Sequence, residues 1–225
     1  MRPRSCGYPA AATCALLVWA ASAVGGSTHP SLPAPGTTGG LGVNIHFTDP
    51  RPGEMRMLAD GGFRWVRMDL TWAGTERERG LYDFSAYDRL MTALDDASIR
   101  ALFILDYSNP LYEAQNSVVT EAGREAYARW AAAAASHFAG RGILWEIWNE
   151  PNIAGFWKPE PNLDDYVKMA RAACRAIRAA APGEAIIGPA ASGVDLAFIR
   201  GCLDAGLAEY WDAVSVHPYR QTGPE

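Results

Sequence analysis

The chain reads as an α/β protein, an incomplete (β/α)8 TIM barrel with about six of its eight βα units present. Three observations point there. From Leu41 onward, short apolar runs alternate with longer amphipathic ones, the pattern of a parallel sheet wrapped by helices. The strand-like runs recur about every 30 residues over about 180, the spacing of a (β/α)8 barrel. Nothing after the first run reads as a glycine-rich phosphate loop, which disfavours the alternative of a doubly wound open sheet.

Ahead of the barrel, residues 1–26 combine Arg2 and Arg4 with an apolar run from Ala10 to about Val24 and small residues at Ala21-Ser22-Ala23. This reads as a signal peptide cleaved near Ala23, giving a secreted or periplasmic protein with no membrane attachment after cleavage. An uncleaved anchor is the alternative, although the run is shorter than the roughly 20 residues that span a bilayer. Residues 27–40, rich in Ser, Thr, Pro and Gly, form a flexible lead-in, and 41–225 form the barrel.

Within the barrel the first strand covers Leu41 to Phe47, and Pro52 to Asp60 follows as a helix with Met55, Leu58 and Ala59 on one face, stopped at Gly61-Gly62. Phe63 to Leu70 is the second strand. Ser85 starts a helix whose Tyr87, Leu90, Met91 and Leu94 have the spacing of a buried stripe. The third strand, Ala101 to Asp106, runs into the polar loop Tyr107-Ser108-Asn109-Pro110. Thr120 caps a helix through Phe138, with Tyr127, Trp130, Ala134 and Phe138 inward and Gly140 as its stop. After the fourth strand, Asn162 with Asp165 marks a capped start for a helix carrying Tyr166, Met169, Ala173 and Ile177, ended by Pro182. Ala185 to Gly188, Asp195 to Leu207 and Asp212 to His217 complete the series as strand, helix and sixth strand.

The fourth strand belongs to the run Ile143 to Asn152, I-L-W-E-I-W-N-E-P-N, apolar until it stops at Asn149 and Glu150. Its aromatic and branched residues suit a strand buried on both faces. Pro151 favours extended geometry at Glu150, holding that carboxyl at the strand exit, and an apolar wall there would disfavour its ionised form, as a proton donor needs.

The W-N-E-P run resembles the acid/base motif of clan A glycoside hydrolases, (β/α)8 barrels with an Asn-Glu pair at the end of the fourth strand. The chain is most similar to their family 39 and family 5 (cellulase-like) group, which includes bacterial enzymes that cut exopolysaccharides. The resemblance implies a retaining hydrolase of O-glycosidic bonds in a poly- or oligosaccharide, with Glu150 as acid/base. Asn149 matches the residue that bonds the sugar 2-hydroxyl. Arg67 matches an arginine that holds the nucleophile, or else forms a structural ion pair in the barrel. His217 and Tyr219, in V-S-V-H-P-Y, match residues lining the subsite beside the cleaved bond. His46, with Asn44, is among the polar groups at strand ends. Trp157 and Phe156 offer either an aromatic platform for a sugar ring or packing of the loop on the barrel rim.

The nucleophile that the resemblance implies, a glutamate ending a seventh strand, is missing from this chain, which stops at Glu225. Glu184, Glu209 and Asp212 precede strands and belong to the opposite face of the barrel. The chain as given is therefore expected to be inactive, and a non-catalytic carbohydrate-binding barrel or an inactive fragment is the alternative reading. No metal or cofactor is expected, since His29, His46, His137 and His217 are dispersed and no Cys/His spacing suggests zinc. A net charge of -5, with Arg2 and Arg4 lost on cleavage, disfavours nucleic acid as a partner. Cleavage also removes Cys6 and Cys14, leaving Cys174 and Cys202 to pair in an oxidising compartment or to remain buried thiols.

Overall fold

A computed structural model describes residues 38–219. Residues 1–26, expected to be a signal peptide, most of the expected lead-in 27–40, Cys6, Cys14, His29 and Glu225 lie outside the described residues. Strands β1 (Gly42–Asn44), β2 (Trp65–Thr71), β3 (Arg100–Asp106), β4 (Leu144–Ile147), β5 (Ala185–Ser192) and β6 (Ala213–His217) form one sheet in sequence order. Every neighbouring pair is parallel. Helices α1 (Glu54–Asp60), α2 (Trp72–Thr75), α3 (Ser85–Asp96), α4 (Glu121–His137), α5 (Leu163–Ala180) and α6 (Leu196–Asp204) lie between successive strands. A doubly wound sheet reverses its strand order at a switch point; here the order never reverses, and the sheet curls into an incomplete barrel.

Alternation along the strands divides the apolar residues between two cores. Val66, Met68, Leu70, Phe103, Leu105, Trp145 and Ile147 pack against helix residues including Tyr87, Leu90, Tyr127, Trp130, Tyr166 and Met169. Trp65, Leu144, Ala185 and Ile187 form the second cluster, on the concave face, with Leu102 and Ala213 against it. Arg67, Asp69, Asp106 and Glu146 share the concave parity, so the polar site is built on the inner face of the sheet.

The helix starts follow the side-chain chemistry of their caps. Thr120 Oγ1 accepts the Gly123 N–H at 2.9 Å, and the hydroxyl itself donates to Glu113 at 2.8 Å. Asn162 Oδ1 accepts the Asp165 N–H, and Asp195 does the same for Phe198, both at 3.0 Å. Tyr87, Leu90, Met91 and Leu94 are the buried residues of α3, and Tyr166, Met169, Ala173 and Ile177 are among those of α5.

Two details differ from the sequence-based expectation. The short helix α2 was not anticipated. The strand β5 continues past Gly188 to Ser192, through a register shift between Gly188 and Ala191. Cys174 and Cys202 are both free and buried, and burial pushes each thiol up to about 12.

Candidate active site

The site grows outward from Arg67 on β2. Its Nε donates to Glu146 Oε2 at 2.8 Å, and Nη2 lies 2.7 Å from the same oxygen. Glu146, on β4, is only 2% exposed, so the pair is a charge contact inside the curled sheet. Nη2 also donates to Asn149 Oδ1 at 2.9 Å and to His217 Nε2 at 3.2 Å. A guanidinium has only donors, so Nε2 of His217 must accept, which leaves the imidazole proton on Nδ1. That proton faces Glu150 Oε1 at 2.8 Å. Arg67 thus sets the tautomer through which His217 holds Glu150.

The backbone around Glu150 departs from the extended geometry expected before proline. Strand β4 ends at Ile147, and both Trp148 (φ 68°) and Glu150 (φ 47°) lie in the left-handed region. The cause is tertiary: the Trp148 N–H donates to the Leu105 carbonyl at 3.2 Å and the Glu150 N–H to the Ala190 carbonyl at 3.0 Å. These two bonds tie the turn to β3 and β5 and override the local preference. Asn152 adds a second tie, accepting the Ser192 N–H at 2.8 Å and donating to the Ser192 carbonyl at 3.0 Å. Glu150 is 7% exposed, but its wall is not wholly apolar, because His217 supplies a donor.

Six of the residues singled out from sequence, Glu150, Asn149, His46, Arg67, His217 and Tyr219, line one cleft of about 340 Å³. Asn44, Asp69, Tyr107 and Phe156 complete its wall. Asn149 spans it, donating from Nδ2 to the Tyr107 hydroxyl at 3.0 Å while Oδ1 accepts from Arg67. Burial raises the Tyr107 hydroxyl above the ordinary tyrosine range, which keeps it protonated. A neighbouring cavity of about 390 Å³, lined by Trp65, Leu102, Leu144, Arg67 and His217, is the open interior of the sheet.

Trp157 is not part of the cleft. It is 1% exposed, with its ring 5.1 Å from Trp148 and 6.1 Å from Tyr166, so it anchors the loop in the helix-side core and presents no face to a ligand. The ring at the cleft is its neighbour Phe156, stacked on Tyr107 at 5.8 Å. Glu146 was missed from sequence, although a lone acid in the apolar run L-W-E-I-W, at concave parity, was a usable signal. Glu184 and Asp212 are occupied elsewhere: Glu184 accepts from Trp145 Nε1 and the Gly140 N–H, Asp212 from Arg178 and the Ile186 N–H. Among the described residues no group of His, Cys, Asp and Glu is set to hold a metal ion, and no helix is long and apolar enough to cross a membrane.

A curled parallel sheet that gathers carboxylates, an amide and aromatic rings at the carboxyl ends of its strands defines the class, a clan A glycosidase barrel. Residues 40–222 match the family described as cellulase, glycosyl hydrolase family 5, and the chain belongs to that family. Over 103 residues it is 34% identical to a β-xylosidase of Geobacillus stearothermophilus, an alignment covering 41% of this chain and 20% of that protein. A family 39 glycoside hydrolase from Bacteroides cellulosilyticus superposes with a TM-score of 0.66 at 25% identity, over 80% of this chain and 38% of that one. A monomeric β-xylosidase from Caulobacter crescentus shares the fold with a TM-score of 0.65 at 22% identity, over 79% of this chain and 41% of that one. The chain thus spans well under half the length of these proteins.

Proposed function

We propose that the protein hydrolyses O-glycosidic bonds in a poly- or oligosaccharide with retention of configuration, Glu150 acting as the acid/base. The observation that carries this reading is the placement of Glu150 at the mouth of the fourth strand, with Oε1 held by His217 and Asn149 fixed beside it by Arg67 and Tyr107. With Oε1 accepting the imidazole proton, Oε2 carries the proton given to the glycosidic oxygen. A second carboxylate then attacks the anomeric carbon, and Glu150 takes a proton from the water that releases the sugar. We assign the attacking group to a glutamate ending a seventh strand, about 5 to 5.5 Å from Glu150. Asn149 bonds the sugar 2-hydroxyl, a contact that strengthens as the ring gains oxocarbenium character. Arg67, His217, His46 and Tyr219 shape the subsite around it. Residues 1–26 support export of the protein, where a polysaccharide substrate is met outside the cytoplasm.

The test is the anomer first released from an aryl glycoside by a protein that carries both this chain and the seventh-strand glutamate, followed by proton NMR before mutarotation; the chain limited to residues 1–225 is expected to give no turnover. Retention is expected, and Glu150→Gln is expected to lower turnover about 10² to 10⁴-fold. Release of the inverted anomer, or unchanged turnover in the variant, would contradict the assignment.

A further inference from the structure

The two loops that carry the aromatic wall of the cleft are joined by a side chain that stands outside it. Asn116, half-buried, lies in the loop between β3 and α4. Its Nδ2 donates at 3.1 Å to the carbonyl of Phe156, in the loop between β4 and α5. Its Oδ1 accepts from the Ser108 N–H and hydroxyl, both at 3.4 Å, and its own carbonyl accepts the Lys158 N–H at 2.9 Å. An asparagine amide carries an acceptor and a donor in one plane, so this side chain binds both loops at once.

The Phe156 carbonyl is where the ties meet. It also accepts the Trp148 indole N–H at 3.2 Å, and Trp148 stands two residues before Glu150 in the turn that carries it. With Asn116 and Trp148 both donating, the two lone pairs of that carbonyl are taken. The Phe156 ring is thereby set nearly parallel to Tyr107, 5.8 Å away at 11°, while Trp148 meets Tyr107 in a T-shaped contact at 5.4 Å. Held between them, the Tyr107 hydroxyl accepts one hydrogen of Asn149 Nδ2 at 3.0 Å.

We infer that Asn116 is a positioning residue for the site around Glu150: by clasping Ser108 and Phe156 it fixes the ring pair of Tyr107 and Phe156, and through Tyr107 it aims the second Nδ2 hydrogen of Asn149 at the sugar 2-hydroxyl. The inference rests on the glycosidase reading and extends it to a residue that touches no ligand. A group displaced by about 1 Å from the reacting sugar can lose on the order of 10²-fold in rate. Since the 2-hydroxyl contact strengthens in the transition state, the loss falls on turnover more than on ground-state binding, and on substrates that have a 2-hydroxyl.

The experiment takes a protein that carries both this chain and the seventh-strand glutamate, and a panel of 4-nitrophenyl glycosides with their 2-deoxy counterparts. On the sugar that is turned over, Asn116→Ala is expected to lower kcat about tenfold or more with KM changed less than about threefold, and to lower kcat on the 2-deoxy counterpart less than about threefold. Comparing each substrate with itself in the two proteins cancels the greater intrinsic reactivity of the 2-deoxy glycoside. An equal loss on both substrates marks a general structural role and overturns the inference, and so does no loss on either. Asn116→Asp keeps the acceptor for Ser108 but has no donor for Phe156; it is expected to give the same split and decides the matter where Asn116→Ala does not fold. If neither variant folds, hydrogen exchange at the Asn116 side-chain amide of the unsubstituted protein decides: protection supports the clasp, and exchange at the rate of free asparagine overturns it. Hydrolysis of none of the panel by the unsubstituted protein overturns the glycosidase reading itself, and the inference with it.

Discussion

His217 connects Arg67 and Glu150 through opposite ring nitrogens, Nε2 accepting from Arg67 and Nδ1 donating to Glu150. Nitrogen NMR of the labelled protein should therefore show the Nδ1–H tautomer, and Arg67→Met should release that preference. An Nε2–H signal in the unsubstituted protein would break the chain of donors. Asp106, at the end of β3, gives a second residue-scale expectation, because burial raises its carboxyl well above the ordinary value. A carboxyl raised in the folded state binds its proton more tightly there than in the unfolded chain. Its stabilising contribution is therefore full below the ordinary carboxylate value of 3.8 and lost as pH rises through the raised one. Urea midpoints of the unsubstituted protein should fall more steeply with rising pH than those of Asp106→Asn, and parallel curves would refute this. Glu150 and Asn149 were legible in sequence because an apolar run ends on them. The left-handed backbone at Glu150 was not, since it is imposed by hydrogen bonds to β3 and β5 that no local pattern contains.

At the level of single elements, caps and stripes carried most of the information. The Thr120 cap on α4 closes a small network with Glu113, so Thr120→Ala should cost about 0.5–2 kcal/mol in denaturant unfolding. A loss below that range would mean the cap is dispensable. In β5 the constraint is steric. A Cβ built on Gly188 would sit 2.8 Å from the Trp211 ring, and Gly188→Ala should destabilise the protein by about 1–3 kcal/mol. An unchanged midpoint would show that Trp211 moves aside freely. The helices α3, α4 and α5 were readable because each buries one face at a 3.6-residue period. The end of β5 was not, because Pro189 and a register shift interrupt the period of two while pairing with β6 continues. Trp157 illustrates the same limit. Two adjacent aromatic residues in a loop, Phe156 and Trp157, look alike in sequence, and only packing against Trp148 and Tyr166 separates the anchor from the ring at the cleft.

For the molecule as a whole, the strand repeat was enough to indicate a barrel, because parallel order and unit length are properties of the chain's periodicity. Which surfaces stay uncovered is a tertiary matter. In the described residues β1 and β6 each pair on one side only, and Val194, Leu196 and Val214 are 57%, 69% and 48% exposed. A piece limited to residues 38–219 should therefore self-associate, as light scattering after gel filtration would show; a stable monomer would argue against these edges being sticky. The central claim is that Glu150 supplies the proton in a retaining glycosidase, and it is tested most directly in a protein that also carries the seventh-strand glutamate, by comparing Glu150→Gln with the unsubstituted form on aryl glycosides of graded leaving-group acidity. The account predicts a large loss of turnover for poor leaving groups that shrinks for dinitrophenyl glycosides, with added azide trapping a glycosyl azide of retained configuration. An equal loss across all leaving groups, or none, would contradict it.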